Sequence, residues 1–209
     1  MDELSHPPRL GVFGGTFNPV HLGHMIMAQD AMEAFDLSRV MFVPCACPPH
    51  KSAAGLAPAP HRLAMLEAAI EGDLRFEVSD LELQRGGTSY TIDTLRAVAA
   101  DHPGVDLYFI IGADSLVELH LWREIETLLG LCRIVTIARP GVNLAALQAK
   151  DIKLKDPWPE LLQAGIRVGH RMEVSSTDIR YRVAEGMSIR YLVPPGVDMY
   201  IAEHSLYRR

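Results

Sequence analysis

The feature that most restricts this chain is an alternation. Short apolar, β-rich runs at Leu10–Phe13, Val40–Val43, Phe76–Val78, Leu107–Ile111 and Arg133–Ala138 are mostly separated by stretches with helical spacing of apolar residues. The helical candidates are His21–Phe35, Pro60–Glu71, Thr91–Asp101 and Trp122–Leu129, followed by one starting near Ser176 and one over Pro195–His204. Such alternation predicts an α/β fold, a Rossmann-like open parallel sheet with right-handed crossovers and helices on both faces. In sheets of this kind ligands bind beyond the carboxyl ends of the strands. With 209 residues, 48% of them hydrophobic, the chain buries a full core, and one domain over 1–209 is expected. Cys45–Pro60, rich in Pro, Ala and Gly, and Gly141–Pro159, with little periodicity, read as connections.

Charge and cysteine content exclude several classes. A net charge of -6 argues against a nucleic-acid or anionic-membrane surface, so any phosphate ligand needs locally placed cations. Three cysteines without repeated spacing indicate a reduced protein lacking a disulfide framework, with Cys45 and Cys47 as strand-end residues. The first eight residues carry no basic segment leading into an apolar one, and no apolar run reaches membrane-spanning length. A cytoplasmic location with no membrane partner is expected.

Directly after Leu10–Phe13 comes Gly14-Gly15-Thr16-Phe17-Asn18-Pro19-Val20-His21-Leu22-Gly23-His24. It reads as strand, glycine turn and helix, with Asn18 as N-cap and Pro19 at the first helical position. Free N–H groups and the positive dipole end would then face the turn, and His21 and His24 would reach the same anion, a phosphate. The run is neither Gly-x-Gly-x-x-Gly nor a P-loop, which weakens dinucleotide and P-loop readings. Zinc is the rival for the histidines, but helical zinc ligands usually sit four apart beside Glu or Cys, unlike His21-Leu22-Gly23-His24.

Further constellations follow. Ser175 and Asp178 form the Ser-x-x-Asp pattern of a helix start, and Ser175, Ser176, Thr177 and Arg180 would make a second phosphate cradle. Pro48-Pro49-His50-Lys51 could present Lys51 to phosphate as a point charge. Gly86-Gly87-Thr88-Ser89-Tyr90-Thr91 gives a flexible glycine pair and hydroxyls entering a helix. Gly112 and Asp114 close an apolar strand at its carboxyl end, where a nucleotide could lie. Each has a plainer reading as a cap, loop or solvated surface; their joint occurrence is what carries weight.

Together these segments resemble the bacterial nicotinate-nucleotide adenylyltransferases, within the HxGH nucleotidyltransferase superfamily. The resemblance covers nearly the whole chain: Gly14 to His24, Pro48 to Lys51, His61-Arg62 to Met65, Ser89 to Leu95, Ile111 to Ser115, Trp122, Arg139-Pro140-Gly141, Ser175 to Arg180 and Tyr191 to Pro194. One departure is Asn18, where many relatives carry Asp. The resemblance implies adenylyl transfer from ATP to nicotinate mononucleotide, with His21, His24, Lys51 and Arg180 as catalytic residues. It implies ATP contacts from Gly14, Gly15, Thr16, Phe17, His21, His24, Gly112, Asp114, Ser175, Ser176, Thr177 and Arg180. The acceptor would meet Lys51, Ser89, Tyr90, Thr91, Trp122 and Arg139. Mg²⁺ would be carried mainly by ATP phosphates, with no dedicated protein metal site. Small-molecule substrates, no nucleic acid and no membrane are the expected partners, and a homo-oligomer stays open. The alternatives are a transferase of the same superfamily with another acceptor, and a nucleotide-binding regulator without catalysis.

Overall fold

The computed structural model describes residues 7–47, 55–138 and 151–208. Six parallel strands form one sheet: β1 Arg9–Gly15, β2 Arg39–Pro44, β3 Phe76–Val78, β4 Asp106–Gly112, β5 Arg133–Ala138 and β6 Ile166–Val168, in the order β3-β2-β1-β4-β5-β6. The helices are α1 Leu22–Phe35, α2 Ala59–Ile70, α3 Leu81–Arg85, α4 Thr91–Asp101, α5 Ala113–Leu116, α6 Ile125–Leu131, α7 Trp158–Ala164, α8 Ser176–Ala184 and α9 Pro195–Glu203. None of these helices is long and apolar enough to cross a membrane.

Strand residues alternate between the two faces, because successive side chains of a strand point opposite ways. Leu10 and Val12 of β1 join a cluster with Ile92 and Leu95 of α4 and Leu128 of α6, whereas Phe13 joins one with Ala28 of α1, Met65 of α2 and Ile179 of α8. A sheet covered on both sides has near-continuously apolar strands, as β4 and β5 do. The strand order reverses between β1 and β4, which pair from Arg9↔Asp106 to Val12↔Phe109. At such a reversal the connections leave for opposite faces of the sheet, and the carboxyl ends of the strands frame a crevice.

The expected α/β architecture is the one observed. Strand β6 escaped sequence reading because it is three residues long, with Arg167 and Val168 exposed. Short helices α3, α5 and α7 show too few turns for a period to register. α7 also begins inside Gly141–Pro159, expected to be a connection; residues 141–150 lie outside the described residues. The helix expected over Trp122–Leu129 is instead a 3₁₀ turn, Leu119–Leu121, followed by α6, with Glu124 between them at a left-handed φ of 52°.

Candidate active site

Gly14 and Gly15 end β1 in the crevice, and the next residue but one, Phe17, folds back with φ 45°. Its ring is 2% exposed and packs edge-on against Phe13, Phe42 and His24. A Cβ on Gly15 would lie 2.8 Å from that ring, so the residue is glycine because the phenylalanine turns over it.

Helix α1 starts later than expected. His21, not Asn18, is its N-cap, and Pro19 lies outside the helix after a cis Asn18–Pro19 bond. Asn18 is diverted because its amide serves tertiary partners: Nδ2 donates to Gly55 O at 2.9 Å, and Oδ1 accepts from Ala57 N at 3.0 Å and Tyr207 Oη at 2.8 Å. The N–H groups expected to be free at this helix start are partly spent: Leu22 N donates to Leu192 O and His24 N to His21 O. The anion-binding capacity of the turn therefore rests on side chains more than on amides.

Those side chains are held closely. The rings of His21 and His24 stack at 3.7 Å, and the His21 N–H donates to His24 Nδ1 at 3.2 Å. With Nδ1 accepting, a neutral His24 carries its proton on Nε2 and is a donor there. A Cβ on Gly23 would come 3.0 Å from the His21 ring, which accounts for the glycine between the two. A cavity of about 60 Å³ adjoins the pair, with walls that include Met27, Ile137, Met172 and Val174. Asp30 and His170 also line it: Asp30 Oδ1 lies 2.5 Å from His170 Nδ1, and Oδ2 accepts the His170 N–H at 2.7 Å.

Helix α8 docks on the same turn. Ser175 caps it, accepting from Asp178 N at 3.1 Å as its spacing predicts. Ser176 Oγ donates to Pro19 O at 2.9 Å, Arg180 Nη1 donates to Asn18 O at 2.8 Å, and Arg180 Nη2 donates to Thr177 Oγ1 at 3.3 Å. The first and last motifs, far apart in sequence, thus meet at one crevice. Gly112 caps α5 at the end of β4 on this same edge, with Asp114 exposed beside it.

The 86–91 loop lies beyond β2. Cys47 and Thr88 form a parallel bridge, Ser89 N donates to Cys47 O at 3.1 Å, and Ala46 N donates to Ser89 Oγ at 3.0 Å. Ser89 is therefore a clasp between two segments. Tyr90 caps α4 and carries the Arg123 guanidinium 4.8 Å above its ring, next to Trp122, which meets Phe109 edge-on at 6.0 Å. Thr91 opens α4 at the same point. Lys51 and Arg139 lie outside the described residues.

Sequence reasoning assigned no role to Arg62. Its guanidinium is buried and donates to the carbonyls of Ala57, Thr16 and Ala46 at 3.1, 2.9 and 3.3 Å. It braces both rims of the crevice and places a positive charge beneath them in an acidic protein. The signal was available: Arg62 shares the buried stripe of α2 with Met65 and Leu66, a position a charge occupies only when satisfied. Burial pushes the neighbouring Cys45 thiol up, against the opposing pull of the Thr16 hydroxyl and Arg62. Among the described residues no group of three or more His, Cys, Asp or Glu is gathered to hold a metal.

Residues 12–182 match the cytidylyltransferase-like family, which places the chain in that nucleotidyltransferase class. A protein of Desulfitobacterium hafniense named probable nicotinate-nucleotide adenylyltransferase is 42% identical over the full length of both chains. One of the same name from Geobacter sp. strain M21 is 41% identical over 95% of this chain and 98% of its own. The fold is also that of Plasmodium falciparum nicotinic acid mononucleotide adenylyltransferase complexed with NaAD, with TM-score 0.71, 20% identity, and 96% of this chain and 97% of that one covered. This chain belongs to the nicotinate-nucleotide adenylyltransferase family.

Proposed function

We propose that the protein transfers the adenylyl group of ATP to nicotinate mononucleotide, giving nicotinate adenine dinucleotide and pyrophosphate. The observation that carries this reading is the stacked His21–His24 pair with the His24 tautomer set by a main-chain N–H, on a turn to which α8 is fastened through Arg180 and Ser176. Family membership supports the choice of acceptor.

A phosphate oxygen of the mononucleotide attacks the α-phosphorus of ATP in line. The new P–O bond forms as the bond from the α-phosphorus to the bridging oxygen breaks, and pyrophosphate leaves with that electron pair. The attacking oxygen is already ionised, so the reaction needs no strong base and no covalent enzyme intermediate; positioning and charge stabilisation suffice. His24 donates to the α-phosphate as charge builds, His21 holds the same chain of phosphates, and Arg180, with Lys51, neutralises the triphosphate and the leaving group. Gly14, Gly15, Thr16 and Phe17 shape the turn around the phosphates; Ser175, Ser176 and Thr177 form the wall beneath α8. Gly112 and Asp114 lie on the nucleoside side. Tyr90, Thr91, Trp122 and Arg139 receive the acceptor, the ring stacking on Trp122. Mg²⁺ enters with ATP as part of the substrate, held by phosphate oxygens. We place the reaction in the cytoplasm.

Pyrophosphate release from Mg-ATP, measured in parallel with nicotinate mononucleotide, nicotinamide mononucleotide and phosphopantetheine, tests this. Release with the nicotinate nucleotide far above the others is the expected result. Release only with phosphopantetheine would keep the chemistry and overturn the acceptor; silence with all three would overturn the reading.

A further inference from the structure

The Asn18 side chain and carbonyl fasten four stretches of chain. Besides its own turn, Asn18 holds the shoulder at Gly55 and Ala57, the Arg180 guanidinium of α8, and the hydroxyl of Tyr207 in the segment after α9. Asn18 is 7% exposed, so these bonds are made away from water, where a missing partner costs about 1–3 kcal/mol. An amide suits the position because it donates from one end and accepts twice at the other; a carboxylate has no donor for Gly55 O. Tyr207 packs against the core beside Leu206, and burial pushes its phenol up despite the opposing charges of Arg180 and Arg62, which keeps it a protonated donor.

The packing of the Tyr207 ring asks only for an aromatic residue; the hydroxyl alone reaches Asn18. We infer that Tyr207 is a positioning residue for the reaction: by holding Asn18 it fixes the spacing between Arg180, the 55–57 shoulder and the His21–His24 helix start. The inference rests on the adenylyl-transfer reading. Loss of the hydroxyl leaves the core filled and the Arg180 bond to the Asn18 carbonyl in place, but the Asn18 side chain is then held only from the 55–57 shoulder, so the arginine and the histidines lose part of their common tether. Small displacements of this kind lower transition-state stabilisation without unfolding the protein.

A double-mutant cycle decides it. Full-length wild type, Tyr207→Phe, Asn18→Ala and the double variant are compared for kcat and KM with Mg-ATP and nicotinate mononucleotide, alongside Tm. Tyr207→Phe is expected to lower kcat/KM for ATP about tenfold with a Tm within a few degrees of wild type. The double variant is expected to lose no more than Asn18→Ala alone, because Tyr207 acts through Asn18. Unchanged kcat/KM in Tyr207→Phe overturns the inference, whatever its Tm, and so do losses that multiply in the double variant. If Asn18→Ala does not fold, Tyr207→Phe against wild type decides alone. A silent wild type brings down the adenylyl-transfer reading and this inference with it; an active wild type with an unaffected Tyr207→Phe overturns this inference only.

Discussion

His24 receives the His21 amide on Nδ1 and stacks on the His21 ring, so it is already oriented for the phosphate contact proposed for it. His24→Ala is therefore expected to lower kcat by about 10²-fold or more, the scale of one preorganised charge donor. Steady-state turnover near wild type in a folded variant would remove His24 from the chemistry. Phe17 sets two effects against each other. Its left-handed backbone costs about 1–2 kcal/mol, which glycine would relieve, but its buried ring is worth about 3–5 kcal/mol. The ring wins, so Phe17→Gly should lower stability in urea titration, and a gain would contradict the packing account. Cys132 lies away from the crevice, and burial pushes its thiol from an ordinary 9.0 up to about 12. The native thiol keeps its proton while the unfolded one loses it above pH 9, so this contribution is intact below pH 9 and falls by about 1.4 kcal/mol per unit towards pH 12. Denaturation of wild type and Cys132→Ala at pH 8 and pH 10.5 should show the smaller pH loss in the variant.

Among the elements, α4 was legible to the residue at Thr91–Asp101 because its apolar positions Ile92, Leu95 and Val98 repeat at helical spacing. The start of α1 was not, because Asn18 has the chemistry of a cap and spends it on Gly55, Ala57 and Tyr207, partners invisible to a local reading. Ser175 has similar chemistry and does cap α8, since it is exposed and its nearest donor is its own helix. The motifs of the candidate site were legible, but what braces them was not: Arg62, Asp30, His170 and Tyr207 act through contacts set by the fold. In α2, Arg62→Met should cost about 2–4 kcal/mol, because three crevice carbonyls lose a charged donor. A Tm equal to wild type would show that water replaces it. On the proposed reading the acceptor ring meets the 86–91 loop and Trp122, next to the Arg123 guanidinium over Tyr90, and a cation there favours a ring carboxylate over an amide. The expected kcat/KM for nicotinate mononucleotide exceeds that for nicotinamide mononucleotide by about 10²-fold; equal values would place ring selectivity elsewhere.

Across the whole molecule, the parallel sheet delivers β1, β4 and β5 to one edge, and the reversal between β1 and β4 opens the crevice there. Net charge of -6 is compatible with a phosphate site because the cations are local, with Arg62 beneath the turn and Arg180 across it. The bonds that finish the site are long in sequence: Pro19 to Ser176, Asn18 to Arg180 and Asn18 to Tyr207. A ribosome adding about 5–20 residues per second therefore releases the histidine turn well before the arginine that completes it. On the roles proposed for these residues, the emerging polypeptide buries much of its core in that interval without spending ATP, and a chain cut short of Arg180 is expected to be catalytically silent.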